Sequence, residues 1–180
     1  MMKELVTLEE MLRFREEKVR LQDELHNRHK GSVIVALGMN IPGPIKYSPE
    51  ILKAFAAGTK AVAGSLNNHG IEVADEMEVT QKEGCLKILA VQHEDPLFIK
   101  KIMVNIEESH PLGRLYDIDV YDKEGKGISR EAFGAPVRIC LLCGQDAKVC
   151  GRNRSHTVEE LYKRVEDIIR AWMKETHETL

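Results

Sequence analysis

The chain has 180 residues, of which 43% are hydrophobic and 31% charged, and its formal net charge is -3. This length fits a single domain covering residues 1–180, and the mixed composition excludes a disordered or collagen-like chain. The slightly acidic balance also argues against a dedicated nucleic-acid-binding protein, because phosphate contacts require an excess of basic side chains.

The first half of the chain predicts a helix, a strand and a second helix. A capping-box sequence, with Thr7 and Glu10, starts a helix over residues 7–29. A β-branched run at residues 32–37 predicts a buried strand, and a stiff loop with two prolines follows at residues 39–46. Ser48 and Pro49 then start a helix that reaches residue 68.

The second half predicts three more strands and two more helices. Two strands form a hairpin, a helix begins at Asp95 and Pro96, and Thr157 starts a last helix with another capping box. The order strand–helix–strand–strand–helix–strand predicts an α+β fold, ferredoxin-like or a related split βαβ sheet, with added N- and C-terminal helices. The predicted ranges are strands 71–80, 85–92 and 114–121, helix 95–109, and a cysteine- and arginine-rich loop at 136–156.

The charged N-terminal segment and the absence of long apolar runs predict a cytoplasmic protein. The first residues are too charged for a signal peptide, and no apolar run approaches the ~20 residues that cross a membrane. The four cysteines of such a chain are expected to be thiols or metal ligands rather than disulfides.

Asp117 and Asp119 are the strongest candidates for catalytic chemistry. They lie two residues apart on a predicted strand, so their carboxylates project from one face. Two such carboxylates repel each other unless a cation lies between them, and Mg²⁺ completed by substrate phosphates is the usual partner. The alternative is a strand whose polar face meets solvent.

The residues before this strand have the chemistry of a phosphate site. Gly113 allows close approach of a ligand, and Arg114 offers a planar fork to phosphate oxygens. His110 is a candidate general base or a loop cap. Asn40 and Lys46 lie in the loop after the first strand, where α/β-type sheets place ligand loops. A turn glycine, a surface arginine and an ordinary loop are the alternatives.

The loop at residues 136–156 has the spacing of a metal site. Cys140, Cys143, Cys150 and His156 would give three thiolates and one imidazole, which form a closed structural zinc site. The alternatives are buried reduced cysteines, since Leu141 and Leu142 flank the first pair, or a redox role. The basic residues of the same loop would bind several phosphates or form a solvated surface; they are Arg138, Lys148, Arg152 and Arg154.

Taken together, several segments resemble the citrate lyase holo-acyl-carrier-protein synthase family, whose members are phosphoribosyl-dephospho-CoA transferases. The resemblance lies in residues 39–46 (MNIPGPIK), residues 108–120 (ESHPLGRLYDIDV) and residues 138–143 (RICLLC), with Ala147, Cys150, Arg152 and His156 beyond them. It covers nearly the whole chain from about residue 7, except for residues 67–92.

The resemblance implies a nucleotidyltransferase that uses triphosphoribosyl-dephospho-CoA. The phosphoribosyl-dephospho-CoA group would pass to a serine of the apo acyl-carrier subunit of citrate lyase, and pyrophosphate would leave. Asp117 and Asp119 would hold Mg²⁺, Gly113 and Arg114 would grip phosphate oxygens, and His110, or else Glu107 or Glu108, would be the base. Polymerase-beta-type nucleotidyltransferases have a Gly-Ser upstream of their Asp pair, where this chain has Gly113 and Arg114.

The resemblance leaves the basic loop with two roles, which are binding the pyrophosphate of the dephospho-CoA arm and docking the acidic carrier protein. Two other functions compete with the transferase. One is a non-catalytic, zinc-stabilised module that docks an acidic protein or RNA, and it predicts that Asp117 and Asp119 are dispensable. The other is a metal-dependent phosphohydrolase that uses the same Asp pair and water as the acceptor.

Overall fold

The computed structural model of the protein describes residues 4–176, and the ends of the predicted domain, residues 1–3 and 177–180, lie outside them. The described chain forms five α-helices and four strands around one sheet. In this part of the chain, no helix is both long and apolar enough to cross a membrane. The elements are α1 (Leu8–Arg28), β1 (Val33–Met39), α2 (Pro49–Asn68), β2 (Glu72–Gln81), β3 (Gly84–Gln92), α3 (Pro96–Ser109), β4 (Tyr116–Tyr121), α4 (Ala147–Asn153) and α5 (Val158–Glu175).

The four strands are arranged in the order β2-β3-β1-β4, and every neighbouring pair is antiparallel. The strand–helix–strand connections therefore skip a strand in the sheet, as the split βαβ pattern requires. This confirms the α+β prediction. The central strand β1 pairs with β3 on one side and with β4 on the other. Ser32, the residue before β1, is fully buried.

The two faces of the sheet pack against different helices. The larger core lies between one face and helices α2, α3 and α5, and it includes Phe55, Met103, Tyr116 and Trp172. A smaller core lies on the other face, where Leu21 and Leu25 of α1 contact the sheet. Helix α1 thus covers the face that the two connecting helices leave free, because that face also carries apolar side chains.

The predicted helix starts are confirmed in atomic detail. Thr7 and Thr157 both form capping boxes with the glutamates three residues later, while Ser48 and Asp95 cap α2 and α3. The local hydrogen bonds of these side chains explain the agreement, since they need no tertiary contact.

Two details differ from the sequence predictions. The predicted strand at 114–121 begins only at Tyr116, because Gly113–Leu115 form a 3₁₀ turn. The predicted loop at 136–156 contains the short helix α4, which Asp146 caps. Helix α1 is partly exposed, since Leu8, Leu12 and Val19 face solvent while Leu21 and Leu25 contact the sheet.

Candidate functional site

Asp117 and Asp119 lie on the face of β4 that is turned towards α1. Side chains alternate along this strand, and Tyr116, Ile118 and Val120 enter the larger core. The two carboxylates therefore share the opposite face, as predicted. Their partners across the strand pair are Gly38 and Ala36 of β1. Because these neighbours are small, the sheet leaves space above the carboxylates.

A lysine from α1 meets this acidic pair. The Lys18 Nζ donates to Asp119 Oδ2 at 2.7 Å, joining residues that lie far apart in sequence. Burial by itself favours the neutral amine, but the Asp119 carboxylate outweighs it and raises the pKa of Lys18. Lys18 therefore stays an ammonium group at neutral pH. No motif in the sequence points to Lys18, although Met11, Phe14, Arg15 and Lys18 share one face of the helix at helical spacing.

The second carboxylate meets an arginine from the predicted loop. Arg138 lies 3.4 Å from Asp117 Oδ1 and donates its other terminal nitrogen to the carbonyl of Tyr116. Burial, followed by the charge of Asp119, raises the pKa of Asp117, and Lys18 and Arg138 offset part of this effect. Two neighbouring carboxylates repel each other, and their oxygens are suitable ligands for a divalent cation.

A cleft of about 260 Å³ opens beside Asp117. Arg15 and Lys18 come from α1, and Asn40 and Lys46 come from the loop after β1. The Lys46 Nζ donates to the carbonyl of Ile41, and burial, together with Arg15, lowers the pKa of Lys46. The cleft thus combines carboxylates with several cationic groups, which is the chemistry of a metal–phosphate site.

The β2–β3 turn adds another carboxylate, because Glu83 also lines this cleft. No chemistry was expected from this region, which lies within the stretch without recognisable motifs. A lone glutamate in a hairpin turn gives no sequence signal, since turns are commonly polar. Only the folding of the turn onto α1 and β1 brings Glu83 to the same cleft as Asp117.

Gly113 has a packing role that the sequence did not reveal. A Cβ on this residue would lie 2.4 Å from the carbonyl oxygen of Glu107 and 2.5 Å from that of Ile106. The turn before β4 therefore packs directly on the end of α3. Glu107 is itself engaged, since it accepts from the Ile118 N–H at 2.9 Å and from Arg130 at 2.8 Å. Glu108, the other candidate carboxylate, lies 3.7 Å from Arg130 Nη1.

His110 caps the junction between α3 and the turn. Its Nδ1 accepts a hydrogen bond from the Leu112 N–H at 3.0 Å, and its ring lies 5.2 Å from that of Tyr116. Tyr116 points to the opposite face of the sheet from Asp117. Burial lowers the pKa of His110. Its acceptor nitrogen is therefore occupied, and its ring packs away from the carboxylate pair.

The predicted cysteine–histidine cluster is brought together by the fold. Single ligand atoms of Cys140, Cys143, Cys150 and His156 all lie within 4.8 Å of one another, so the group could bind a metal ion such as zinc. Burial would raise the pKa of the Cys140 thiol, but hydrogen bonds from the Leu142 and Cys143 backbones outweigh it and lower that pKa to about 6.

A second, larger cleft of about 780 Å³ lies against this cluster. Arg114 and Arg154 line it, together with Asn40, which lines both clefts. Burial, followed by the charges of Arg138 and Arg130, lowers the pKa of Arg114, and the charge of Glu107 offsets part of this effect. The remaining basic residues of the loop lie elsewhere: Lys148 is 3.8 Å from Glu131, and Arg152 is exposed on α4 outside both clefts.

Comparisons with known proteins all point to one family and cover nearly the whole chain. The family model described as apo-citrate lyase phosphoribosyl-dephospho-CoA transferase matches residues 6–172. A Vibrio cholerae serotype O1 (strain M66-2) protein is 35% identical over 163 residues, which is 91% of each chain. A Streptococcus pyogenes serotype M18 (strain MGAS8232) protein is 34% identical over 179 residues, 98% of this chain and 92% of the relative. Both relatives are named probable apo-citrate lyase phosphoribosyl-dephospho-CoA transferases, and these names do not favour a non-catalytic binding module.

Proposed function

The chain belongs to the apo-citrate lyase phosphoribosyl-dephospho-CoA transferase family, and from this premise we propose that it is a nucleotidyltransferase. Its donor would be triphosphoribosyl-dephospho-CoA and its acceptor a serine of the apo acyl-carrier subunit of citrate lyase. The serine hydroxyl attacks the phosphorus through which the triphosphate is joined to its ribose. A phosphodiester bond forms, and the bond between that phosphorus and the departing pyrophosphate breaks.

The observation that carries this proposal is the set of cationic side chains around Asp117 and Asp119. A triphosphate brings several negative charges, which carboxylates alone would repel. Lys18 lies beside Asp119, and Arg15 and Lys46 line the same cleft as Asp117. Phosphoryl transfer needs positioning and charge neutralisation more than covalent help from the protein, and this set of residues supplies both.

Asp117 and Asp119 fit a magnesium ion by their chemistry, because hard cations prefer carboxylate oxygens completed by substrate phosphates. When bound there, Mg²⁺ would supply positive charge at the reacting phosphate and the leaving pyrophosphate. The role of the protein is to hold the two carboxylates on one rigid strand. Lys18 and Arg138 already balance part of their charge, and Lys18 is placed to contact a phosphate oxygen as well.

The proton of the serine hydroxyl needs an acceptor at the same cleft. Glu83 lines this cleft, whereas the Nδ1 of His110 already accepts from the Leu112 N–H. We therefore assign the general base to Glu83. His110 becomes a positioning residue that fixes the turn before β4. The nucleophile itself arrives on the carrier protein, so this chain need not provide one.

The two clefts suit the two ends of the donor. Asn40 lines both of them, so they adjoin each other. The triphosphoribosyl end would lie in the smaller cleft beside Asp117. The dephospho-CoA arm would extend into the larger cleft, where Arg114 and Arg154 would meet its pyrophosphate. A metal at the cysteine–histidine cluster would have four protein ligands and no open position for substrate, so it takes no part in the transfer.

The direct test is the mass of the carrier protein. Purified protein, apo carrier, triphosphoribosyl-dephospho-CoA and Mg²⁺ are incubated, and the carrier is weighed by mass spectrometry. We expect a gain equal to the phosphoribosyl-dephospho-CoA group. The Asp117→Asn/Asp119→Asn variant should lose this activity by more than about a thousandfold while remaining folded, because it can neither hold the cation nor stabilise the transition state.

Two controls make the result decisive. Asp122→Asn changes a carboxylate that caps the turn after β4 through Glu124 and Lys126, and it should leave the mass gain intact. Omitting the carrier separates transfer from hydrolysis, since a phosphohydrolase would release pyrophosphate without it. An unchanged carrier mass with folded wild-type protein would refute the proposed reaction.

A further inference from the structure

The segment between residues 134 and 157 has little apolar material to hold it in place. Cys140 and Cys150 are its only buried residues, and most of the others are exposed to solvent. Apart from α4, it is held by a few contacts, such as the Cys140 N–H to the Gln145 carbonyl at 2.6 Å, the Arg138 side chain to the Tyr116 carbonyl, and Leu141 against the larger core. Where little apolar surface is buried, a disulfide or a bound metal ion commonly supplies the missing stability.

The side chains that converge inside this segment form a metal-ligand set. Cys140 and Cys143 come from a tight loop, Cys150 comes from α4, and His156 precedes the cap of α5. Their ligand atoms lie within 4.8 Å of one another, and the Cys140 and Cys150 sulfurs are 3.5 Å apart. In a tetrahedral zinc site with Zn–S bonds of about 2.3 Å, neighbouring sulfurs are about 3.8 Å apart. Only small side-chain movements separate the observed cluster from that geometry.

His156 supplies an independent observation. Its Nε2 is buried and has no hydrogen-bond partner among residues 4–176. A buried polar nitrogen without a partner is costly, and coordination of a metal would satisfy it. The loop after Cys140 is also shaped for a thiolate, because the Leu142 N–H lies 3.5 Å from the Cys140 sulfur.

The other uses of these residues explain less. A disulfide would engage two of the three cysteines and would leave His156 Nε2 unsatisfied, and all three are free thiols. Buried reduced cysteines need no histidine nitrogen among them, and Cys143 is exposed. Zinc is the ion that matches three thiolates and one imidazole at this spacing.

We propose that Cys140, Cys143, Cys150 and His156 bind one structural Zn²⁺ ion that fixes residues 134–157 against the body of the protein. Cys140, Cys150 and His156 all line the larger cleft. By binding these residues, the ion would hold one wall of that cleft in place. Arg154, which lies between two of the ligands in sequence, is held at the same cleft. Both tests of the zinc site omit substrate. Their outcomes therefore do not depend on whether the proposed transferase reaction is correct.

The first test is metal content. Protein purified under reducing conditions from zinc-supplemented medium should contain about one zinc per chain by atomic emission. Cys143→Ser and His156→Ala should each lower that content at least fivefold. Cys85→Ala, a matched control, removes the cysteine that lies on β3 outside the cluster, and it should keep its zinc. Wild-type protein with less than about one zinc per ten chains would overturn the proposal.

The second test is limited proteolysis, which reports on the structural role. Trypsin cleaves after Arg138, Lys148, Arg152 and Arg154, all of which lie in the segment. Removing zinc with a strong chelator should speed cleavage at these sites at least tenfold, and added zinc should restore the resistance. Cleavage at equal rates with and without zinc would show that the ion does not hold the segment, and the proposal would fall.

Discussion

At the scale of single residues, His110 shows that a hydrogen bond can decide what a histidine is available to do. Its sequence context indicates a base or a loop cap, and the structure gives its Nδ1 to the Leu112 N–H. Glu83 has no informative context, yet it lines the cleft that holds Asp117. The difference lies in which lone pairs remain available, which a sequence pattern does not encode.

Substitutions at these two positions separate a base from a positioning residue. Asn at position 110 can accept the same N–H through an Asx turn, so His110→Asn should keep kcat within about threefold. Glu83→Gln keeps the size of the side chain but cannot take a proton, and it should lower kcat about 10²- to 10⁴-fold. Rates are measured with saturating carrier and donor. A large loss in His110→Asn with a normal Glu83→Gln would reverse the two assignments.

At the scale of elements, the junction between α3 and β4 sets the position of the Asp pair. The Gly113–Leu115 turn packs on the last carbonyls of α3, and Glu107 of the same helix accepts from the Ile118 N–H between the two aspartates. Arg130 and Arg138 both approach this buried carboxylate. Helix α3 therefore fixes the register of the strand as well as covering it.

Gly113→Ala tests this junction. The new Cβ would meet backbone atoms that cannot move aside, so we expect a loss of about 3 kcal/mol in the free energy of unfolding. The matched control is Gly64→Ala in α2, where nothing lies within 4 Å of the added Cβ, and it should gain about 0.5–1 kcal/mol. Urea titrations measure both values. Equal stability of Gly113→Ala and wild type would mean that the turn is not constrained by α3.

At the scale of the whole molecule, the candidate site exists because α1 crosses the face of the sheet that α2 and α3 leave free. The ion pair of Lys18 and Asp119 joins the N-terminal helix to the fourth strand. Arg15 of the same helix also lines the cleft beside Asp117. Neither half of the chain contains the site. Its assembly follows from packing the apolar stripe of α1, with Leu21 and Leu25, onto the sheet.

Lys18→Met should weaken donor binding more than it affects folding. Loss of the proposed charged contact to phosphate predicts a rise of about tenfold or more in KM for the proposed donor, triphosphoribosyl-dephospho-CoA. Arg20→Met removes the same charge from the same helix, at a position that pairs with Glu24 on the surface, and it should leave KM unchanged. Initial rates at varied donor concentration measure both. An equal rise in KM for both variants would point to a general effect of net charge.

Short-range chemistry allowed much of this protein to be predicted from sequence. The four helix caps, the order of helices and strands and the common face of Asp117 and Asp119 depend on residues near one another, and the structure agrees with each. The spacing of Cys140, Cys143, Cys150 and His156 indicated a metal site as one of three alternatives, and the fold brings these four residues together. Family resemblance in three short segments indicated the transferase family that the comparisons show.

The remaining features were decided by contacts between distant parts of the chain. Lys18 reaches Asp119 only because α1 docks on the sheet, and Glu83 reaches the same cleft only through the β2–β3 turn. The packing of Gly113 and the engagement of Glu107 and His110 likewise depend on how α3 meets β4. The sequence by itself therefore determined most of the helices and strands, the family, and the shared face of Asp117 and Asp119. The tertiary structure decided which cationic side chains and which further carboxylate line the cleft beside Asp117, because long-range packing is not encoded in local spacing.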